Sequence, residues 1–170
     1  MNPAWPRPEM PADLAAVRRV HEAAFPTPAE ARLVDQLRAQ GRALVSLVAE
    51  QAGEVVGHIL FSPIEVEGVS LLRLAVGLAP VAVLPSCQRQ GVGSRLVRDG
   101  LEACRGLGCG FVVVLGEPGY YGRFGFGRAS RWGLRNEYGA DDAFQVIELV
   151  PGSIPSSGGL VKYAPEFAEL

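Results

Sequence analysis

The segment that most constrains this chain is an apolar strand that leads through a glycine-containing loop into an amphipathic helix. The strand ends at Leu84, the loop contains Gly91 and Gly93, and apolar residues recur with helical spacing from Gly91 to Gly108. The first N–H groups of a helix have no internal partner, and that end carries partial positive charge. Because glycine lets an anion come close to the backbone, the segment predicts a site for a phosphate group.

Two common nucleotide motifs do not fit this loop. A dinucleotide fingerprint needs a third glycine at position 96, where the chain has Leu96, and a P-loop needs a lysine followed by serine or threonine. Glycine is nevertheless concentrated here, since 13 of the 21 glycines lie between Gly91 and Gly139. This clustering predicts tight turns or a backbone cradle for a ligand.

The spacing of apolar residues predicts a mixed α/β (α+β) domain around a mostly antiparallel sheet. After a short extended start, the pattern predicts helices over 13–25, 27–41 and 91–108, and strands over 44–49, 55–61, 70–84, 111–115, 144–150 and 159–163. Thr27 and Glu30 form a capping-box pattern at the start of the second helix. A chain of 170 residues has the ordinary length of one domain, so we expect a single domain over residues 1–170.

Composition excludes several classes of protein. The formal net charge of −2 provides no broadly basic surface for nucleic acid or for a membrane. Cys87, Cys104 and Cys109 are an odd number without a CxxC pair, so neither a disulfide framework nor a metal site is predicted. No apolar run reaches the ~18 residues of a membrane helix. We therefore expect a cytoplasmic protein with reduced thiols.

Basic and aromatic residues are interspersed between Arg128 and Tyr138. Such a pattern suits nucleic acid or an acidic acceptor, but in a chain of net charge −2 a solvated hairpin is the favoured interpretation. Cys87 precedes the phosphate loop, yet no histidine partner is evident for a catalytic thiol.

Two motifs give the chain a family resemblance. The run Gln88-Arg89-Gln90-Gly91-Val92-Gly93 matches the Q/R-x-x-G-x-G/A pattern of the GNAT superfamily of acyl-CoA-dependent N-acetyltransferases. The run Tyr121-Gly122-Arg123-Phe124-Gly125-Phe126 is similar to the Tyr-x-x-x-Gly-Phe ending of that family. The resemblance covers about residues 3 to 130, and the remainder looks most like the YhbS-like branch.

The resemblance implies a GNAT fold with helices flanking the sheet, two strands splayed at a cofactor slot, acetyl-CoA as cosubstrate and no metal. Loop N–H groups would bind the pyrophosphate, and the end of the preceding strand would pair with pantetheine as another strand does. Pro80 supports a bulge where the strands separate. The expected cofactor-binding residues are Val81, Ala82, Val83, Gln88, Arg89, Gln90, Gly91, Val92, Gly93 and Ser94.

The transfer step needs a base for the amine, a donor for the oxyanion and a donor for the departing thiolate. Tyr121 matches the family position for the thiolate donor, and an N–H near Val83 is available for the oxyanion. Tyrosine is a weaker acid than a thiol by about 2 kcal/mol, so a hydrogen bond to sulfur describes the role better than proton transfer. Glu117 is the expected base, with His58 or a water relay to a backbone carbonyl as alternatives.

The chain departs from the family after the strand over 111–115. Many members have Asn-x-x-Ala there, whereas this chain has Gly116-Glu117-Pro118-Gly119. The change removes the asparagine contact to coenzyme A and predicts a turn instead of a full helix.

These features predict an N-acetyltransferase that moves acetyl from acetyl-CoA directly to a small-molecule or peptide amine in a ternary complex. A catalytically silent acyl-CoA sensor of the same fold is one alternative, because no base is certain from sequence. A nucleotide-binding α/β protein is the second. The family resemblance also implies a homodimer, and no membrane or nucleic-acid partner is expected.

Overall fold

The structure is a computed structural model that describes residues 3–170. The helices are α1 (Leu14–Ala24), α2 (Ala29–Ala39), α3 (Val92–Gly106) and the single turn α4 (Pro118–Tyr121). The strands are β1 (Trp5–Pro8), β2 (Val45–Gln51), β3 (Glu54–Val66), β4 (Ala75–Val83), β5 (Phe111–Leu115), β6 (Gly127–Arg128), β7 (Leu134–Asn136), β8 (Phe144–Glu148) and β9 (Gly159–Lys162).

The chain divides into two compact units, and each has its own description. Of the described residues, the first unit contains 3–61, 79–102 and 165–170, and the second contains 62–78 and 103–164. The long strands β3 and β4 each contribute one part to each unit. The single domain expected over residues 1–170 stays a prediction.

The first unit is built on antiparallel strands β1, β2 and the first part of β3. A two-residue turn joins β2 to β3, and both of its residues, Ala52 and Gly53, have positive φ, as the twist of a tight hairpin requires. Helix α3 packs closely on β3, because a β-carbon on Gly57 would lie 3.0 Å from Cδ1 of Leu96. This contact fixes the start of α3 over the strand.

The second unit is built around β5, which is buried over nearly its whole length. β5 pairs in parallel with β4 and antiparallel with β8, and β8 also pairs with β6. Strand β9 pairs with the end of β3 and with β7. Most described pairings are antiparallel, so the predicted mixed and mostly antiparallel sheet is confirmed.

The structure corrects the sequence interpretation at the start of α2. Thr27 and Glu30 do not form a capping box, since Pro28 occupies the N-cap position and no side-chain cap bond forms. The Thr27 hydroxyl instead accepts a hydrogen bond from the Ala29 N–H at 3.3 Å. Thr27 therefore lies one residue too early in the chain to cap the helix.

Candidate functional site

The loop between β4 and α3 is held in shape by two glutamine side chains. Gln88 Nε2 donates to the carbonyl of Val83 at 3.0 Å, and Gln90 Nε2 donates to the carbonyl of Ser86 at 3.2 Å. Both side chains thus bond within the loop and its flanking strand. A ligand at this loop would meet backbone groups more than these amides.

The backbone at Gly91 suits the close approach of an anion. Gly91 is exposed with φ of +84°, and a β-carbon there would meet no atom within 4 Å. The Arg95 N–H donates to the Gly91 carbonyl at 3.1 Å, which begins the hydrogen bonding of α3. The N–H groups of Val92 and Gly93 precede that bond and have no acceptor within the helix. The residues present therefore fit a pyrophosphate at a helix start.

Arg89 adds a cation to the same loop. Its φ of 60° is left-handed, and its side chain is exposed. A non-glycine residue seldom takes this conformation outside a tight turn, so Arg89 lies at a turn of the loop with its side chain in solvent.

The end of β4 is only partly covered. Val81 and Val83 are half-buried, Ala82 is buried, and the Leu84 N–H that follows donates to the Val56 carbonyl at 2.8 Å. Ser94, in the first turn of α3, is also half-buried. Residues 81–83 are the ones predicted to pair with pantetheine, and Ser94 is one of those predicted to bind the pyrophosphate.

The pairing of β4 with β5 is short. It joins Val76 to Val112 and Gly77 to Val113, whereas β5 continues along β8 as far as Leu115. Two residues beyond Gly77 comes a cis bond to Pro80, which has no N–H to donate. The described pairing agrees with strands that separate early, and the bulge at Pro80 stays a prediction.

Tyr121 ends α4 with its ring packed against aromatic neighbours. Its centroid lies 5.7 Å from that of Phe126 and 5.0 Å from that of Tyr120, each at a steep angle. The side chain is 8% exposed. Burial, with a smaller effect of Tyr120, raises the pKa of Tyr121 to about 12. The hydroxyl is therefore a hydrogen-bond donor at every physiological pH.

Glu117 starts the same short helix. Its carbonyl accepts the N–H groups of Tyr120 at 3.1 Å and Tyr121 at 3.0 Å, while its side chain is exposed. The segment is a single helical turn followed by a 3-10 turn over Gly122–Phe124, so the predicted turn is confirmed. An exposed carboxylate four residues before Tyr121 is free to meet an acceptor.

His58, unlike Glu117, lies in a buried series of hydrogen-bonded side chains. Its Nδ1 is 2.8 Å from Nε2 of His21, and its Nε2 is 2.7 Å from the Ser46 hydroxyl, which donates to a Glu9 carboxylate oxygen at 3.0 Å. His58 is 0% exposed, and burial first, then His21 and Arg38, lower its pKa well below 6.5. This burial contradicts His58 as a base that meets an acceptor.

The donor and the acceptor of each bond in this series of hydrogen-bonded side chains follow from the carboxylate at its end. Because the Ser46 hydroxyl donates to Glu9, it accepts from His58 Nε2–H, and His58 Nδ1 then accepts from His21 Nε2–H. Nδ1 of His21 is buried without a hydrogen-bond partner among the described residues. Sequence reasoning missed this pair because 37 residues separate the histidines; the signal was that each occupies the apolar face of its own element.

The cysteines carry no further site. Cys104 and Cys109 are buried, and burial raises the pKa of both thiols. Cys87 is half-buried, with its sulfur 3.7 Å from Oε1 of Gln51. Within residues 3–170, no group of three or more metal-ligating side chains is placed to hold a metal ion.

The basic and aromatic residues from Arg128 to Tyr138 form a surface segment. Arg128 pairs with Asp142 at 2.5 Å and lies 3.8 Å from Asp141, so part of the positive charge is neutralised locally. This ion pairing agrees with the solvated-hairpin interpretation. No helix between residues 3 and 170 has both the length and the apolarity to cross a membrane.

Comparison with known proteins adds a family match. Residues 14–126 match the acetyltransferase (GNAT) family. The chain is 38% identical over 163 residues to the uncharacterised N-acetyltransferase YhbS of Escherichia coli strain K12, which covers 95% of this chain and 96% of YhbS.

Two solved structures are similar in fold. The structure of E. coli YhbS in complex with CoA has a TM-score of 0.92 at 36% identity and covers 99% of this chain and 93% of that one. A GNAT family acetyltransferase from Brucella melitensis in complex with acetyl-CoA has a TM-score of 0.80 at 38% identity, covering 98% and 99%. The predicted GNAT fold, a mixed sheet flanked by helices, is confirmed by these matches.

Proposed function

Because this chain belongs to the acetyltransferase (GNAT) family of N-acetyltransferases, we propose that it transfers the acetyl group of acetyl-CoA directly to an amine in a ternary complex. The observation that carries the proposal is the exposed backbone at Gly91 where α3 begins. It occurs in a chain whose structural relatives hold CoA and acetyl-CoA.

Cofactor binding is assigned to the loop and to the end of β4. The N–H groups from Gln88 to Ser94 hold the pyrophosphate, with Arg89 as a nearby cation, and the backbone of Val81, Ala82 and Val83 pairs with pantetheine. The Val83 carbonyl is only partly available to pantetheine, since it already accepts a hydrogen bond from the Gln88 side chain at 3.0 Å. A carbonyl oxygen has two lone pairs, so one acceptor site remains there.

Acetyl-CoA supplies a thioester whose sulfur leaves as a thiolate. We assign the donor for this sulfur to the Tyr121 hydroxyl. With a pKa of about 12 against about 8.5 for a thiol, full proton transfer from Tyr121 would be uphill by about 5 kcal/mol. Tyr121 therefore stabilises the thiolate by a hydrogen bond and keeps its own proton.

The amine has to lose a proton, since alkyl amines are mostly protonated at neutral pH. We assign this step to Glu117, whose side chain is exposed at the start of α4. A water that passes the proton to a backbone carbonyl is the alternative, and a Glu117→Gln variant separates the two. A fall in kcat of about 100-fold or more in this variant supports Glu117, and an unchanged kcat supports water.

The acceptor proposed is a small-molecule or peptide amine, and the proposed setting is a homodimer in the cytoplasm. The free state of all three cysteines agrees with a reducing compartment. Size-exclusion chromatography with light scattering tests the dimer.

The central experiment compares the thermal stability of the protein with acetyl-CoA, CoA, ATP and NAD. A ligand at about 100 times its Kd adds about 2.7 kcal/mol, which for a chain of this size raises Tm by about 5 to 10 °C. We expect this rise with acetyl-CoA and CoA. A rise with ATP or NAD alone would favour a nucleotide-binding protein and overturn the proposal.

A second measurement separates the enzyme from a sensor. Release of CoA is followed with a thiol reagent across a panel of small amines and peptides. Release above the rate of hydrolysis supports the transferase. Binding of acetyl-CoA with no release for any amine in the panel supports the silent sensor.

A further inference from the structure

Trp5, at the start of β1, is a large apolar side chain left in solvent. It is 61% exposed even though the guanidinium carbon of Arg95 lies 4.3 Å from its ring centroid. Arg95 also donates to the carbonyl of Ala4 at 3.1 Å, so the cation is fixed on two neighbouring residues. A ring backed by a cation with its other face open is a stacking platform for a flat base.

Two connections join this platform to the phosphate loop. Arg95 belongs to the first turns of α3, and its N–H donates to the carbonyl of Gly91. The other connection runs through β2, where Glu50 is the register partner of Trp5 and is followed by Gln51, which contacts the sulfur of Cys87 at 3.7 Å. The platform therefore lies beside the loop that begins α3.

The space next to Trp5 has the size of a ligand subsite. A cavity of about 420 Å³ is lined by Pro3, Trp5, Pro6, Arg7, Glu50 and Ala52. Its two charged side chains form an ion pair, because Arg7 Nε donates to the Glu50 carboxylate at 2.8 Å, and Arg7 also donates to the Asp13 carboxylate at 2.7 Å. A cavity with an aromatic wall, proline rims and an arginine already shared by two carboxylates suits a neutral heterocycle better than a phosphate.

We propose that Trp5 stacks on the adenine ring of acetyl-CoA, with Arg95 as the residue that positions the indole. The inference rests on the proposed function, which places the diphosphate of the same molecule at Gly91. In coenzyme A a single ribose joins adenine to the diphosphate, so adjacent sites for the two groups are what this ligand requires. The adenine site makes the nucleotide half of the cofactor contribute to affinity.

Trp5 provides its own signal for the test. The chain has two tryptophans, so in a Trp132→Phe background all tryptophan fluorescence comes from Trp5. The probes are acetyl-CoA, 3′,5′-ADP and S-acetyl-4′-phosphopantetheine, which keeps the thioester arm but lacks adenosine. We expect the first two to quench Trp5 emission and the third to leave it unchanged.

Binding constants complete the test. We expect Trp5→Leu to raise the Kd of acetyl-CoA about 5- to 100-fold and leave that of S-acetyl-4′-phosphopantetheine unchanged, while Trp5→Phe retains most of the affinity. An unchanged Kd for acetyl-CoA in Trp5→Leu, or an equal loss for both ligands, overturns the adenine site.

The two proposals fail in different ways. If wild-type protein binds S-acetyl-4′-phosphopantetheine and acetyl-CoA equally well, the adenine site is wrong and the transferase proposal stands. If folded wild-type protein binds neither thioester, the transferase proposal itself is wrong.

Discussion

The ring of Tyr121 occupies the space that a side chain on Gly116 would need. A β-carbon built on Gly116 would lie 2.3 Å from Cε2 of Tyr121. The Gly116 backbone is held on both sides, since its N–H donates to the Ala143 carbonyl at 2.9 Å and its carbonyl accepts from Gln145 Nε2 at 3.3 Å. Gly116 therefore sets how closely the proposed thiolate donor packs on its own loop.

Replacing Gly116 by alanine should displace Tyr121, because the fixed backbone leaves the ring as the part that moves. We expect Gly116→Ala to lower kcat at least tenfold with little change in the Kd of acetyl-CoA, and to reduce the free energy of unfolding by about 1 to 3 kcal/mol. Steady-state kinetics, isothermal titration and urea unfolding measure the three quantities.

Gly122→Ala is the matched control for that substitution. Gly122 lies in the same segment, one residue after Tyr121, and a β-carbon there would meet no atom within 4 Å. We expect near-wild-type kcat and stability. Equal losses of kcat and stability in Gly116→Ala and Gly122→Ala would show that the segment tolerates no substitution. The contact of Gly116 with Tyr121 would then not explain the loss.

Tyr121→Phe tests the donor itself. Loss of a hydrogen bond to a charged sulfur should lower kcat about 10- to 100-fold while the Kd of acetyl-CoA stays within a factor of two. Because the pKa of Tyr121 is about 12, its hydroxyl keeps its proton, and we expect the wild-type rate to show no fall from this group up to pH 10. Tyr120→Phe serves as the comparison, and a larger effect there would move the role to Tyr120.

Gly91→Ala tests the backbone cradle. The φ of +84° would cost an alanine about 1 to 2 kcal/mol, which a shift of the loop would relieve. We expect the Kd of acetyl-CoA to rise about 5- to 30-fold. Gly106→Ala, at the end of α3 with open space around it, should leave the Kd unchanged and add about 0.5 to 1 kcal/mol of stability.

The paired histidines make stability depend on pH. Burial lowers the pKa of His21 from 6.5 to about 4, with a smaller effect from Arg38, and the pKa of His58 shifts in the same direction, opposed only by Asp13. The unfolded chain therefore binds more protons than the folded one between pH 4 and 6.5. The free energy of unfolding must fall as the pH falls through this window.

Urea unfolding at pH 7 and pH 5 measures this effect. His21 alone should contribute a loss of about 2 kcal/mol between the two values, and His58 should add to it. In His21→Leu the difference should shrink by about that amount, with His21→Gln as a substitute if the leucine variant does not fold. An undiminished difference in either variant would mean that other groups carry the pH dependence.

The sequence predicted those parts of the fold whose signal lies within one element. The apolar run Phe111–Leu115 became β5 with the same bounds, and α3 lost only the residues at its ends. Strands β6 and β7, of two and three residues, are too short to show an alternating pattern. β3 continues five residues beyond its predicted end at Phe61, past Pro63, because pairing with β9 supplies partners for its last residues.

The candidate site shows the same division between local and distant information. The loop residues follow one another in the chain, so glycine positions were sufficient to predict an anion site. The contact of Arg95 with Trp5 depends on how the chain returns to itself, and it spans 90 positions. No periodicity in a single sequence contains that contact.

The internal amide bonds of Gln88 and Gln90 have a kinetic consequence. A loop that already holds its shape does not have to fold around an arriving ligand, so little conformational entropy is lost on association. Capture of the cofactor should then be a single step whose observed rate rises linearly with ligand concentration and does not level off at a rate of loop closure. Removing either amide would convert this rigid receptor into one that must order itself on each encounter.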